Sequence, residues 1–403
     1  MHAPGSRGSS QIRWVLSFAA VVVFANLHAM QPLLPELKRQ FLLSELQTSW
    51  AYAIGTLSLG LSLLVYGALA DALGRKPVLA VSFVGMLLST ACLTQAESFG
   101  SLLMLRALQG FCLGGLPAVA IAYMGEELSP TAMASAVGGY ISASSLGGIS
   151  GRVLAGWCAD TGHWAWVFYP LTLLSLLLLL AFWRCLPAVQ HFAPQPLSWA
   201  RAARDNIGHL QHKALLLIFL VGGVNFAIYL NQYTYIAFVL AEPPYQLSPF
   251  WIGLLFLTYL TGTLGSAWSG RIAGRFGALR AMQGGVYCMM LGTLCTLLGS
   301  LVWIVGGFFI SAFGFFVTHS LATSQVNRQA LHAKASASAL YLVFYYVGAS
   351  SGGLWLQPFY QWLGWRGVVL ASLLGYGLAL ILCRRLARWM AADSRNDSST
   401  SSH

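Results

Sequence analysis

Gly67-Ala-Leu-Ala-Asp71-Ala-Leu-Gly74-Arg75-Lys76 is a short interruption between two long apolar runs, 48–69 and 77–95. Each run has roughly the twenty residues that a helix needs to cross the hydrocarbon of a bilayer. The pattern returns as Gly270-Arg-Ile-Ala-Gly274-Arg-Phe-Gly277-Ala-Leu279, again between apolar runs. Gly67 and Gly270 are 203 residues apart, and so are Gly74 and Gly277. Ala134-Ser135-Ala136 recurs as Ala337-Ser338-Ala339 at the same offset. One offset at two distant places marks a duplicated unit.

Outward from this loop, twelve apolar runs can be read: 14–34, 48–69, 77–95, 101–124, 132–157, 164–186, 214–240, 249–273, 280–300, 302–325, 336–362 and 366–386. They are called spans 1 to 12. The longest break, 187–213, holds Pro187, Pro194 and Pro196, then Arg201, Arg204 and Lys213. The expected fold is an all-α integral membrane protein, with twelve transmembrane helices in two pseudo-symmetric six-helix bundles. The bundles are 1–186 and 214–386, joined by a linker over 187–213 and followed by a tail over 387–403.

Composition agrees. Of 403 residues, 57% are hydrophobic and 8% charged, and the mean hydropathy is +0.68. A soluble domain carries about 25% charge, so this chain could not cover a core of its size with a water-facing surface. All eleven carboxylates fall at or beyond the ends of the runs, where an acid need not be paired in hydrocarbon. The net charge of +11 reads as topology and not as a nucleic-acid footprint. With the N-terminus inside, seventeen Lys and Arg fall in inner segments and only Lys38, Arg39 and Arg366 in outer ones. Basic loops stay in the cytoplasm, so both termini are expected there. The seven cysteines lack C-x-x-C spacing and read as small core residues, with neither metal nor cofactor implied.

Polar groups inside the spans are the candidate site. Arg106 and Arg152 lie in spans 4 and 5 with no in-span acid to answer them. An Arg at the bilayer centre costs about 2.5–3.5 kcal/mol on insertion scales, which suits a function or a snorkelling side chain. His28 and His319, in spans 1 and 10, are the in-span histidines, the side chains whose ordinary pKa allows proton exchange near neutrality; His319 is the leading proton site. Asn225, Tyr229 and Tyr345 belong to an amide and aromatic cluster on spans 7 and 11 that suits a cavity lining or interhelical hydrogen bonds. Gly348-Ala-Ser350-Ser-Gly352 matches the hydrolase motif G-x-S-x-G but lies inside a span, away from the strand–turn–helix it requires. No Walker A sequence occurs. The chain is expected not to be an enzyme.

Taken together, the 67–76 loop, the twelve spans and the central linker resemble the major facilitator superfamily. Finer features resemble its bacterial YnfM-type, arabinose-efflux-like branch: Gln31-Pro32-Leu-Leu-Pro35, Gly147-Gly-Ile-Ser-Gly151-Arg152 and His319-Ser320. The resemblance implies a monomeric secondary transporter of the inner membrane. By alternating access it would move a small-molecule substrate, with protons as the coupling ion and efflux as the direction. It implies a gate made by Gly67, Asp71, Gly74 and Arg75, with Asp71 facing the helix N-terminus near Ser336, where a carboxylate gains about 0.3–1 kcal/mol. In the second copy Gly274 replaces the acid. Arg106-Ala-Leu-Gln109-Gly110 resembles the family's span 4 motif, tied to coupling or substrate contact. Uptake of an organic anion or sugar-like metabolite is the alternative, and a non-transporting membrane receptor the alternative class. A cysteine placed at Ser198, with native cysteines removed, is expected to be protected from an impermeant thiol reagent in intact cells, and one at Gln246 to be labelled; the reverse pattern would overturn this orientation.

Overall fold

The computed structural model describes residues 3, 5–187 and 196–400, with side chains as far as Met390; Pro194 of the expected linker lies outside these residues. No strand occurs among the described residues. Eleven stretches are long and apolar enough to cross a membrane. The remaining span, Pro130–Thr161, is a helix of 32 residues. Its many Gly and Ser residues and its Arg152 make it less apolar than its neighbours, although it is amply long.

Where a span breaks, the residues explain it. Span 1 runs over Arg7–Phe41, but its first helix stops at His28. A short 3-10 turn, Gln31–Leu33, and a second helix, Leu34–Phe41, follow. Pro32 and Pro35 have no N–H to give to the carbonyls four residues back, so a continuous helix would strand them. Span 4 is two helices, Phe99–Leu113 and Gly115–Glu127. Spans 2 and 3, Glu45–Leu73 and Arg75–Leu93, meet at Gly74, whose φ is +98°. Spans 8 and 9 meet at Gly277, with φ +85°. Both backbones need a residue without Cβ, and the two copies of the loop share one conformation.

The chain forms two compact units. The first is Met1–Trp199 with Thr234–Leu257, and the second is Ala200–Tyr233 with Thr258–His403. The helix Lys213–Ala241, span 7, therefore begins in the second unit and ends in the first, carrying the following loop and the start of span 8 with it.

Close packing in each unit rests on glycines four apart. In the first, a Cβ at Gly147 would lie 2.7 Å from Val21 Cα and one at Gly151 2.5 Å from Ala25 Cα. In the second, a Cβ at Gly348 would lie 2.9 Å from Gly223 Cα, and one at Gly352 2.7 Å from the carbonyl carbon of Ala227. Lipid tails are as apolar as leucine, so helices in a bilayer associate through close contact at small residues. Each unit thus pairs its first and fifth spans in the same way, as a duplicated bundle should. The motif-like Ser350 sits within this helical seam, in Lys334–Leu363. Span 6 does the opposite: Leu173, Leu176, Leu177 and Leu180 are exposed, a surface for lipid.

Within the second unit, the linker contributes a helix, Trp199–Gln211. It docks on the loop before span 11: His209 Nε2 donates to Ala333 O at 3.3 Å, and Ser336 Oγ donates to Asn206 Oδ1 at 2.7 Å. Burial holds His209 below the ordinary histidine pKa against the pull of the Ala333 carbonyl, and neighbouring His332 adds to the lowering. Gly151→Val must push the backbones of spans 1 and 5 apart and is expected to cut the yield of monodisperse, detergent-solubilised protein several-fold. At Gly67 a Cβ would meet nothing within 4 Å, so Gly67→Ala should keep the wild-type elution profile by size-exclusion chromatography.

Candidate functional site

At the junction of spans 2 and 3, Arg75 is held between two acids. Its Nη1 lies 2.5 Å from Asp71 Oδ1 and its Nη2 2.8 Å from Glu126 Oε1, while Nε also donates to Glu126, at 3.0 Å. The Arg75 side chain is 13% exposed and that of Asp71 55%. Exposure discounts the Asp71 pair to the range of a surface ion pair, about 0–1 kcal/mol. The half-buried contact with Glu126, in which Nε and Nη2 both donate to the one oxygen Oε1, is the firmer anchor. Gly74 supplies the turn, and Gly67 lies one helical stretch before it. Glu126 was not among the residues singled out from the sequence, because it stands at the far end of span 4 and only folding brings it to the loop.

Deeper in the first unit, two arginines organise a polar cluster. Arg106 is fully buried. Its guanidinium donates to the main-chain oxygens of Asn26 (3.2 Å), Leu27 (3.0 Å) and Ala51 (3.2 Å), and to Gln109 Oε1. The carbonyls of Asn26 and Leu27 belong to the last turn of the helix that stops at His28, where acceptors lack intrahelical donors. Arg106 therefore caps the broken end of span 1, where a cation also meets the negative end of the helix dipole. Gln109 Nε2 donates to Thr90 Oγ1 at 2.7 Å and Asn26 Oδ1 at 3.1 Å, and Thr90 donates to Asn26 Oδ1 at 2.9 Å.

Arg152, also fully buried, reaches the other side of the same break. Its Nε and Nη2 donate to Gln31 Oε1 at 3.1 and 2.9 Å, and its Nη1 to Gly148 O at 2.8 Å. Its guanidinium carbon lies 4.1 Å from the centroid of the Phe256 ring, a cation–π contact. Nη2 also lies 3.1 Å from His28 Nδ1. A guanidinium only donates, so Nδ1 accepts, and the hydrogen of a neutral His28 is on Nε2. Tyr52 OH meets the same Nδ1 at 2.7 Å. Gln31 Nε2 in turn donates to Thr234 Oγ1 at 3.2 Å.

A separate cavity lies in the second unit. Gly222, Asn225, Phe315, Thr318, His319 and Tyr345 line it together with Ala322 and Tyr341, around a void with room for about one water-sized group. His319 Nδ1 is 2.9 Å from Tyr341 OH. The His319 ring lies nearly parallel to Phe315, centroids 5.9 Å apart, and 4.8 Å from Tyr345. Asn225 is 2% exposed, yet both Nδ2 and Oδ1 lack a hydrogen-bond partner. Tyr229, one turn further along span 7, does not line the cavity; it stacks on Phe315 at 4.0 Å and meets Tyr233 OH at 3.4 Å.

A Major Facilitator Superfamily model matches residues 16–353. The chain belongs to the major facilitator superfamily. It is 38% identical to the inner membrane transport protein YnfM of Escherichia coli, over 96% of this chain and 93% of that one. It is 35% identical to the MFS-type transporter YybF of Bacillus subtilis, over 96% of both. Among solved structures, the nucleoside transporter NupG superposes with a TM-score of 0.76 at 14% identity, covering 94% of this chain and 99% of that one. The human organic anion transporter MFSD10 does so with a TM-score of 0.70 at 19% identity, covering 93% and 99%. These two show the major facilitator fold alone. The chain is thus a multi-pass membrane transporter and not an enzyme.

Within this superfamily fold, the structure distributes the residues expected from sequence over three places. Asp71, Gly74 and Arg75 share the loop. Arg106, Gln109, Arg152 and His28 share the polar cluster of the first unit. Asn225, His319 and Tyr345 share the cavity of the second. Asn26, Gln31, Tyr52 and Thr90 complete the first cluster; the amide of Asn26 inside an apolar run was a usable signal, whereas Thr90 had none. Arg106→Ala strands the Asn26 and Leu27 carbonyls at about 1–3 kcal/mol each. The variant is expected to lower the melting temperature in detergent by roughly 5–10 °C, with partial recovery in Arg106→Lys. A wild-type melting temperature in Arg106→Ala would mean that the guanidinium braces nothing.

Proposed function

We propose that the chain exports a small organic solute by alternating access in exchange for protons, as a monomer in the inner membrane with both termini cytoplasmic. The observation that carries this reading is the second-unit cavity, where a histidine stands beside an amide with nothing to bond. No Asp or Glu lies within an apolar run, and histidine is the side chain whose ordinary pKa lets it load and unload a proton near neutrality. His319 is the proton site in this reading and Asn225 and Tyr345 contact the solute. Residues 1–186 and 214–386 are the bundles that rock, across a linker at 187–213. Cytoplasmic placement of the termini follows from the Lys and Arg count, and export from the likeness to the arabinose-efflux-like branch.

The gate has a physical part for each residue. Asp71 and Glu126 hold Arg75 in place, and Gly74 allows the tight turn that brings them together. An exposed ion pair of small net value suits a latch that opens in every cycle. Arg106, with its donors on backbone carbonyls, holds span 1 in its bent form. Arg152 ties Gln31 and His28 to span 5 and would shift when His28 gains a proton, since protonated Nδ1 no longer accepts from it. His28 is accordingly the second proton site.

Uptake of an organic anion is the second reading, favoured by the two buried guanidinium groups. It is weakened by their use: Arg106 spends its donors on main-chain carbonyls and Gln109. The test is purified protein in liposomes with an imposed pH gradient, screened against candidate solutes. His319→Ala should keep solute exchange, which needs no net proton movement, and lose the response to the gradient. An unaltered response in His319→Ala would move the coupling proton to His28.

A further inference from the structure

The outer surface of the second unit carries a groove that neither the gate nor the polar clusters use. Thr261, Leu264 and Trp268 of span 8 form one wall, and Phe309, Ile310 and Phe313 of span 10 the other, around about 340 Å³. The two helices meet closely beside it. A Cβ at Gly265 would lie 2.5 Å from Phe313 O, and Thr261 Oγ1 donates across to Phe309 O at 2.8 Å. Trp268 meets Phe313 edge to face, with ring centroids 6.3 Å apart. Leu264, Trp268 and Phe309 remain exposed, so the groove opens toward the hydrocarbon of the bilayer.

Charge gathers at one end of this groove. Positions 261, 264, 268, 271 and 275 recur every three or four residues along the helix Tyr259–Phe276, so they share one face. Arg271 and Arg275 therefore continue the wall begun by Thr261, with Arg275 about 10 Å along the axis beyond Trp268. Both are exposed, and a Cβ at Gly270 or Gly274 beside them would meet nothing within 4 Å. Neither forms an ion pair among the described residues. In the first copy of this loop, 203 residues earlier, the same positions are Ala68 and Ala72, and Asp71 stands where the second has Gly274. The second copy thus carries two cations where the first carries an acid. From Thr258 to Met390 there are nine Lys and Arg and no Asp or Glu, so nothing in spans 8 to 12 neutralises them. Topology asks only that cations stand in an inner segment. It does not ask that they stand on the face that lines a groove.

We propose that this groove binds one anionic phospholipid, with an acyl chain between spans 8 and 10 and the phosphate on Arg271 and Arg275. A phospholipid joins an apolar chain to an anion, the order of chemistry that runs down this face of span 8. A guanidinium pairs with phosphate through two parallel N–H donors. A zwitterionic lipid brings a cation of its own to the same arginines and loses part of that gain. A soluble anion uses the arginines but leaves the groove unfilled. In the orientation proposed above, this end of span 8 faces the cytoplasm, where anionic headgroups give the leaflet its negative surface potential. The site depends on neither export nor proton coupling.

The test is native mass spectrometry of the full chain in a nonionic detergent. The probes are phosphatidylglycerol and phosphatidylcholine with the same acyl chains. The first phosphatidylglycerol is expected to bind about tenfold more tightly than phosphatidylcholine, as two cations at an anionic headgroup allow. Arg271→Gln combined with Arg275→Gln should abolish that preference. Arg385→Gln combined with Arg388→Gln removes the same charge from exposed positions on span 12, which does not line the groove, and should keep it. Ile310→Trp fills the groove from its wall and should weaken phosphatidylglycerol several-fold with both arginines in place. Equal binding of the two lipids, an unchanged preference without Arg271 and Arg275, or an equal loss in the two double variants would overturn the proposal, the last by showing a diffuse field in place of a site. Undiminished binding in Ile310→Trp would overturn it as well. No gradient and no transported solute enters the measurement, so its failure leaves the export reading standing, and a failure of export in liposomes leaves this one.

Discussion

A carbonyl oxygen in the hydrocarbon of a bilayer has no water to accept from, and the architecture of the first unit follows from that constraint. Pro32 and Pro35 end the first helix early, and the oxygens of Asn26 and Leu27 lose their intrahelical donors. Arg106, from span 4, supplies them. The same guanidinium reaches Ala51 O in span 2, so one buried cation ties three spans. Its charge is not wasted: a hydrogen bond from an ionised donor is roughly twice as strong as a neutral one, and it meets the negative end of a helix. Arg152 does comparable work on the far side of the break, holding Gln31 and His28.

Glycine makes this bracing possible. Arg106 lies where a side chain at Gly55 would be, since a Cβ there would come 2.8 Å from its Nη2. Gly147 and Gly151 let spans 1 and 5 approach to backbone contact, and Gly348 and Gly352 do the same for spans 7 and 11. Removing side chains gives the dispersion contacts that replace the hydrophobic effect between helices in lipid. It also brings carbonyls close enough for long polar side chains to span the gap.

The two polar regions differ in how completely they are satisfied. In the first unit, Asn26, Thr90 and Gln109 close a ring of hydrogen bonds, and such a closed network rigidifies. In the second, the rings of Phe315, His319 and Tyr345 are well packed, yet Asn225 keeps both of its polar atoms unpaired. Buried polar groups left open carry an energetic cost, and proteins accept such costs chiefly at sites that meet a ligand. In the function proposed above, the first region braces and the second receives the solute.

Span length, the 203-residue repeat and the 67–76 loop are local or periodic properties, so the sequence alone determined that this is a twelve-span membrane protein of duplicated origin in the major facilitator superfamily. The matching positive φ of Gly74 and Gly277 shows why those glycines recur. Individual polar residues in apolar runs, such as Arg106, Asn225 and His319, could be picked out because hydrocarbon penalises them. What each one touches could not. That Arg106 caps span 1, that Glu126 joins Asp71 on Arg75, and that Asn225 and His319 share a cavity while Tyr229 stands outside it are facts of contact between distant segments. Span 7 starts in one compact unit and ends in the other, a division invisible in hydropathy. The physical reason is that burial in lipid depends on a residue's own transfer energy, which can be read one position at a time. Hydrogen-bond satisfaction depends on partners that only the packing of helices brings within 3 Å or so.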